Sequence, residues 1–132
     1  MGFKKLIVIL IILFIFATYI VGMADKISMY IEKYSEEKFQ EPTIEKIALY
    51  NMKYTYFTAK YKRTLELIEK YLNKYQFSKN AEEVYFLKAK THDRMLEDKI
   101  ARQEYKNYID NYPDGKYKEA AEHRYKELMN FY

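Results

Sequence analysis

Cysteine is absent from this 132-residue chain, and glycine and proline occur only three and two times. Without cysteine there is no disulfide, no thiolate metal site and no thiol nucleophile. A lipoprotein anchor is excluded as well, because it needs an N-terminal cysteine where its signal is cut. Gly2, Gly22, Gly115, Pro42 and Pro113 are too few turn-formers for a many-stranded protein, so the fold class expected is all-α. Gly115 stands apart from the other glycines, which leaves no loop to cradle a phosphate. The only histidines, His92 and His123, lie far apart in sequence. His92 beside Asp93, and His123 beside Glu122, are not ligand spacings, since adjacent residues point to different sides of a helix. A packing or interface role is expected for His92 and a solvated or groove-lining position for His123. Ser28, Ser35 and Ser78 have no adjacent base, and the carboxylates are explained by a solvated surface. No catalytic residue, metal site or cofactor is expected, and the protein reads as a non-enzyme.

Long apolar runs are also missing, with one exception. Leu6 to Ala24 is an uncharged, almost wholly apolar stretch of 19 residues, preceded by Lys4 and Lys5. At ~1.5 Å per residue a helix of that length spans about 28 Å, close to the ~30 Å hydrocarbon core of a bilayer. Gly22-Met23-Ala24 presents small residues where a signal peptidase would cut, with Asp25 following, so export with cleavage after Ala24 is one reading. The stretch is longer than the ~7–15 residues usual for the apolar part of a signal, which favours an uncut anchor. Lysine counting does not orient it, because Lys4 and Lys5 are matched by Lys26, Lys33 and Lys38 beyond the run. With five residues ahead of the run, the simplest topology puts residues 25–132 outside the cytoplasm. The protein is then membrane-anchored with an extracytoplasmic domain, or periplasmic once cleaved.

Charge beyond that run is balanced. The whole chain has 23 Lys plus Arg against 19 Asp plus Glu. Opposite signs alternate, as in Glu69-Lys70 and Lys118-Glu119, which describes a solvated helix surface and not a nucleic-acid footprint. The core must draw on 16 Tyr and 8 Phe.

Three segments follow: 1–24 as signal peptide or transmembrane anchor, 25–42 as a helical stalk or linker, and 43–132 as a domain. The stalk carries Ile27, Ile31 and Tyr34 at helical spacing, and Pro42 interrupts it. Thr43 is placed to cap the next helix. Helices are expected over 43–58, 61–75, 80–96, 99–112 and 116–131, with breaks at 77–80, at Glu97-Asp98 and at Pro113-Asp114-Gly115. Connections this short make antiparallel pairs. An internal repeat supports the division, since Lys70-Tyr71-Leu72-Asn73-Lys74-Tyr75 recurs 37 residues later as Asn107-Tyr108-Ile109-Asp110-Asn111-Tyr112. In the last helix Tyr117, Ala121, Tyr125, Leu128 and Tyr132 form one apolar stripe, with Lys118, Glu119, Glu122, Arg124, Lys126 and Glu127 around the rest. This has the character of a solvating cap, and the chain is expected to be complete at Tyr132.

Tyr112-Pro113-Asp114-Gly115-Lys116-Tyr117, with Ala101 and Tyr105 before it and Ala121 after it, resembles tetratricopeptide repeats of bacterial envelope proteins, such as Tol-Pal accessory and outer-membrane assembly proteins. Ala89 and Ala101 stand where that pattern places small residues on its paired helices. The earlier copy has Thr64, Ile68 and Tyr71 but Met52 for a small residue and Gln76 for proline. The resemblance implies a superhelical stack of α-α hairpins whose first helices line a concave groove. On that register Phe86, Lys90, Asp93 and Arg94 face inward, joined by Lys53, Tyr56 and Phe57 from the weaker copy. Aromatic anchors beside cations suit an extended peptide or a terminal carboxylate. The expectation is a membrane-tethered or periplasmic adaptor that binds a protein or peptide of the cell envelope. The alternative is a structural subunit that forms a homo-oligomer through its anchor and stalk, with Ile27, Ile31 and Tyr34 as the seam.

Overall fold

The computed structural model describes residues 2–39, 41 and 43–130, and among these it has seven helices and no strand. They are α1 (Phe3–Gly22), α2 (Ala24–Lys38), α3 (Thr43–Phe57), α4 (Tyr61–Tyr75), α5 (Ala81–Arg94), α6 (Asp98–Asn111) and α7 (Lys118–Asn130). The interruption expected at Pro42 and the Tyr132 end of the last stripe lie outside the described residues. None of α1 is buried, and it is the one described helix long and apolar enough to cross a membrane. From α2 onward each helix packs chiefly on its neighbours in sequence.

Residues 25–38, read above as a stalk, are packed onto the stack. Small side chains let α2 approach closely: Ala24 and Ser28 are fully buried. Asn51 Nδ2 donates to the Ser28 carbonyl at 3.0 Å, and Arg63 Nε donates to Ser28 Oγ at 3.1 Å. Glu32 of α2 is paired with Arg63 and, at 2.6 Å, with Lys70, both from α4. Burial raises the Glu32 pKa, but the bonds from Lys70 and Arg63 outweigh it and leave the carboxyl below its ordinary value. Ile27 and Ile31 are half-buried here, whereas Tyr34 stays exposed.

Two apolar clusters hold the remainder. Met52, Leu67, Ile68, Tyr71, Val84 and Leu87 join α3, α4 and α5. Ala89, Ala101, Tyr105, Tyr108, Ala121 and Leu128 join α5, α6 and α7. The pair Ala89 and Ala101, expected to nestle together, belongs to one cluster with both residues fully buried.

The 37-residue spacing is structural. α2, α4 and α6 begin at Ala24, Tyr61 and Asp98, each 37 apart. Two residues past α3 and α5 stand Ala59 and Leu96, also 37 apart, with φ of 58° and 60°. Each closes a Schellman turn: Lys60 N–H donates to Thr55 O at 2.8 Å and Ala59 N–H to Tyr56 O at 3.1 Å, and Glu97 and Leu96 repeat the pattern on His92 and Asp93. That is why α5 stops at Arg94 and not at Leu96. The core tyrosines repeat too. Tyr71 Oη donates to Glu45 Oε1 at 2.7 Å, and Tyr108 Oη donates to Glu82 Oε1 at 2.6 Å, each glutamate in the first turn of the same hairpin's first helix. The Ser78 hydroxyl, then Tyr71 and Asn80, hold the Glu45 carboxyl below its ordinary pKa against the opposing effect of burial.

In the second copy the backbone replaces side chains. Lys116 N–H donates to Glu82 Oε1 at 2.6 Å and Tyr117 N–H to Tyr108 Oη at 3.0 Å. These captured amides delay α7 to Lys118. Gly115 permits the approach: a Cβ there would lie 2.6 Å from Tyr108 Oη and 2.9 Å from Tyr112 Cβ. Gly115→Ala is therefore expected to destabilise the chain by about 1–2 kcal/mol through overpacking, read as a lower urea midpoint with unchanged slope.

Candidate functional site

All seven residues expected to face inward line two adjoining depressions on one side of the stack. Lys53, Tyr56, Phe57, Phe86 and Lys90 line the first, with Glu83, Leu87 and Tyr117. Tyr56, Lys90, Asp93 and Arg94 line the second, with Leu96, Tyr105 and Arg124. Each has a volume of about 430 Å³, and Tyr56 and Lys90 are common to both. α3 supplies Lys53, Tyr56 and Phe57, and α5 supplies Phe86, Lys90, Asp93 and Arg94.

The cations differ in their freedom. Lys53 Nζ is paired with Glu83 at 2.8 Å. Lys90 Nζ instead lies 5.1 Å from the centre of the Tyr56 ring and 5.8 Å from that of Phe86. Arg94 Nε donates to Tyr56 Oη at 3.4 Å. Its pKa is raised, first by that bond to the phenol. Tyr56 thus gathers two positive charges at one point, each held on an aromatic group.

Asp93 does not offer a free carboxylate. Arg124 clamps it with two bonds of 2.8 Å, from Nε to Oδ2 and from Nη2 to Oδ1, and Tyr105 Oη donates at 3.1 Å. The Arg124 bonds hold the Asp93 pKa below its ordinary value, with burial opposing them. Arg124, placed above on the solvated side of the last helix, is instead half-buried and bridges α7 to α5. It also binds Glu127 at 3.0 Å. The net effect is a site whose acids, Asp93 and Glu83, are each paired with a cation, whereas Lys90 and Arg94 make no ion pair among the described residues.

Aromatic surface flanks the cations. Phe86 stacks on Tyr117 at 4.7 Å between ring centres with planes 2° apart. Phe57 and Leu96 are 88% and 84% exposed at the ends of the site. Sequence reasoning missed Arg124, Tyr105, Tyr117, Glu83, Leu87 and Leu96 as lining residues. The 37-residue register carries a signal for Arg124: shifting Val84 and Leu87, which face the preceding hairpin, by one period gives Ala121 and Arg124.

His92 Nδ1 lies 2.6 Å from Glu97 Oε2 across the α5–α6 turn, and His123 is exposed near Glu127 at 3.7 Å. Among the described residues no group of three His, Asp or Glu side chains is arranged to hold a metal ion. Comparison with protein-family models, curated proteins and solved structures finds no match to this chain.

Proposed function

We propose that this protein is a non-enzymatic adaptor of the cell envelope, tethered by α1 or exported by it, that binds an acidic segment or terminal carboxylate of a protein partner. The observation that carries the reading is the convergence of Lys90 and Arg94 on Tyr56. An anion placed there meets two cations to which no carboxylate among the described residues is bonded, while Phe57 and Leu96 offer apolar area on either side. The stacked hairpins resemble a tetratricopeptide superhelix, and in that likeness the site lies on the concave face. Residues 6–24 act as the membrane element, with the helical domain on the extracytoplasmic side.

A photo-crosslinker at Phe57 of the full chain in cells tests this. A discrete adduct with another protein is expected, and Lys90→Glu with Arg94→Glu should reduce it about tenfold or more without changing the thermal melt. An adduct that survives both reversals places binding elsewhere and ends the reading. The alternative, a homo-oligomeric subunit, draws support from the exposed Tyr30 and Tyr34 of α2. Sedimentation of the full chain in detergent separates the two, because a monomer excludes the subunit reading.

A further inference from the structure

The repeat is incomplete at its start. α2 sits one period before α4, so it is the second helix of a hairpin whose first helix is missing from the stack. The positions of α4 and α6 that cover their own first helices are buried: Tyr71 is 2% exposed and Tyr108 1%. Their counterpart Tyr34 is 48% exposed, and Tyr30 beside it 72%. α3 shows the same vacancy. Its Tyr50, the counterpart of buried Leu87, is exposed, and its Ile47, the counterpart of fully buried Val84, is only half-buried. Tyr30, Ile31, Tyr34, Phe39 and Ile47 together line an apolar groove of about 230 Å³ between α2 and α3.

The sequence ahead of α2 is written in register for that groove. One period before Thr55-Tyr56 stand Thr18-Tyr19, and one period before Ala59, which has positive φ, stands Gly22. Glycine takes that conformation without the strain borne by Ala59 and Leu96. In the straight form Gly22 has no positive φ, and a Cβ there would meet nothing within 4 Å. Packing in the straight helix therefore does not require a glycine here, whereas a hairpin turn does. Helical bonding runs through the junction, with Met23 N–H on Tyr19 O at 3.1 Å and Ile27 N–H on Met23 O at 3.0 Å. Met23 alone departs from helical geometry there, with φ −93° and ψ 3°, so a fold-back would turn at Gly22 and Met23. The last helix of a second copy is a poor occupant, because α7 would present Glu122, His123 and Lys126 to the apolar groove.

We propose that this groove is the seat of α1 itself. Outside a bilayer α1 folds back antiparallel to α2 about Gly22 and completes the first hairpin. When α1 inserts into lipid the hairpin opens, and the α2–α3 groove is uncovered. The outer face of the folded-back α1 stays apolar, so the hairpin form needs an amphipathic carrier around that face. The opening step rests on the reading of α1 as a membrane helix, whereas the folded-back form does not.

The chain has no native cysteine, which makes introduced pairs unambiguous. Thr55 Oγ1 and Thr64 Oγ1 are 3.0 Å apart, and their counterparts one period earlier are Thr18 and Ile27. The full chain carrying Thr18→Cys and Ile27→Cys, kept soluble by an amphipathic polymer, should close an intramolecular disulfide on mild oxidation. Thr55→Cys with Thr64→Cys is the control. Gly22→Val should lower the first yield about tenfold and leave the control unchanged, since a β-branched residue resists positive φ. A separate single variant, Tyr34→Cys, should react several-fold faster with a maleimide once the chain is moved into phosphatidylcholine vesicles. Failure of the first pair where the control closes overturns the folded-back form, as does closure only between two chains or indifference to Gly22→Val. A Tyr34→Cys rate unchanged by vesicles overturns the opening step alone.

Discussion

Tyr108→Ala is expected to destabilise the protein by about 3–5 kcal/mol, the range for deleting a large aromatic from a packed core. The ring is 1% exposed and lies 5.3 Å from the Tyr112 ring and 5.5 Å from that of Phe86, centre to centre. Its hydroxyl donates to Glu82 and accepts from the Tyr117 amide, so one side chain fixes the start of α5, the α6–α7 turn and the entry to α7. Tyr108→Phe keeps the ring and should cost only about 1–2 kcal/mol, chiefly from the unpaired Glu82 and Tyr117 groups. A domain of this size has about 5–15 kcal/mol in total, so the alanine variant should melt far below the parent while the phenylalanine variant remains folded at 25 °C. Urea unfolding of both variants, followed by helical circular dichroism, checks the ratio. Equal losses would mean that the hydroxyl network, and not the ring volume, holds the second cluster. Near-zero loss for alanine would remove Tyr108 from the core.

The helices were legible because their punctuation is local. The helix expected over 61–75 agrees with α4 at both ends, and the other expected helices of the domain differ from α3, α5, α6 and α7 by at most two residues at the ends that can be compared. Those differences have tertiary causes. Leu96 closes α5 in a conformation that no leucine advertises, and α7 starts late because Glu82 and Tyr108, from other helices, take the amides of Lys116 and Tyr117. The burial of α2 was not legible from its polar stretch, since what buries it is the smallness of Ala24 and Ser28 together with Arg63 and Lys70 waiting on α4. In the candidate site, the register taken from the resemblance named Lys90 and Arg94 on α5 and Tyr56 on α3, and these three side chains do lie together. The state of Asp93 was not legible. Periodicity places a residue on a face, but its charge is decided by whichever partner arrives, here Arg124 from 31 residues away.

That partner sets the second large effect. Arg124→Ala is expected to lower stability by about 2 kcal/mol, within the range for losing charge-assisted hydrogen bonds, because it leaves a half-buried carboxylate with only the Tyr105 hydroxyl. For a domain near 100 residues this is a fall of roughly 8–15 °C in Tm. The pH dependence gives the signature. Arg124 holds the folded-state pKa of Asp93 below its unfolded value of ~3.9, so near that pH the unfolded chain binds more protons than the folded one. The contribution of the pair is complete above the unfolded pKa and is lost as pH falls through the lowered folded value. Glu32 and Glu45 are shifted in the same direction and keep an acid-labile component in every variant. Arg124→Ala should therefore lose its stability chiefly at neutral pH and converge with the parent as the medium becomes acidic. A constant gap between the two curves at all pH values would assign the loss to packing of the arginine stem. The same change alters the candidate site, because an Asp93 without Arg124 places a carboxylate beside Lys90 and Arg94 and competes for them. Anion binding should fall together with neutral-pH stability in Arg124→Ala, whereas Lys90→Glu should weaken binding and leave the acid limb of the stability curve unchanged.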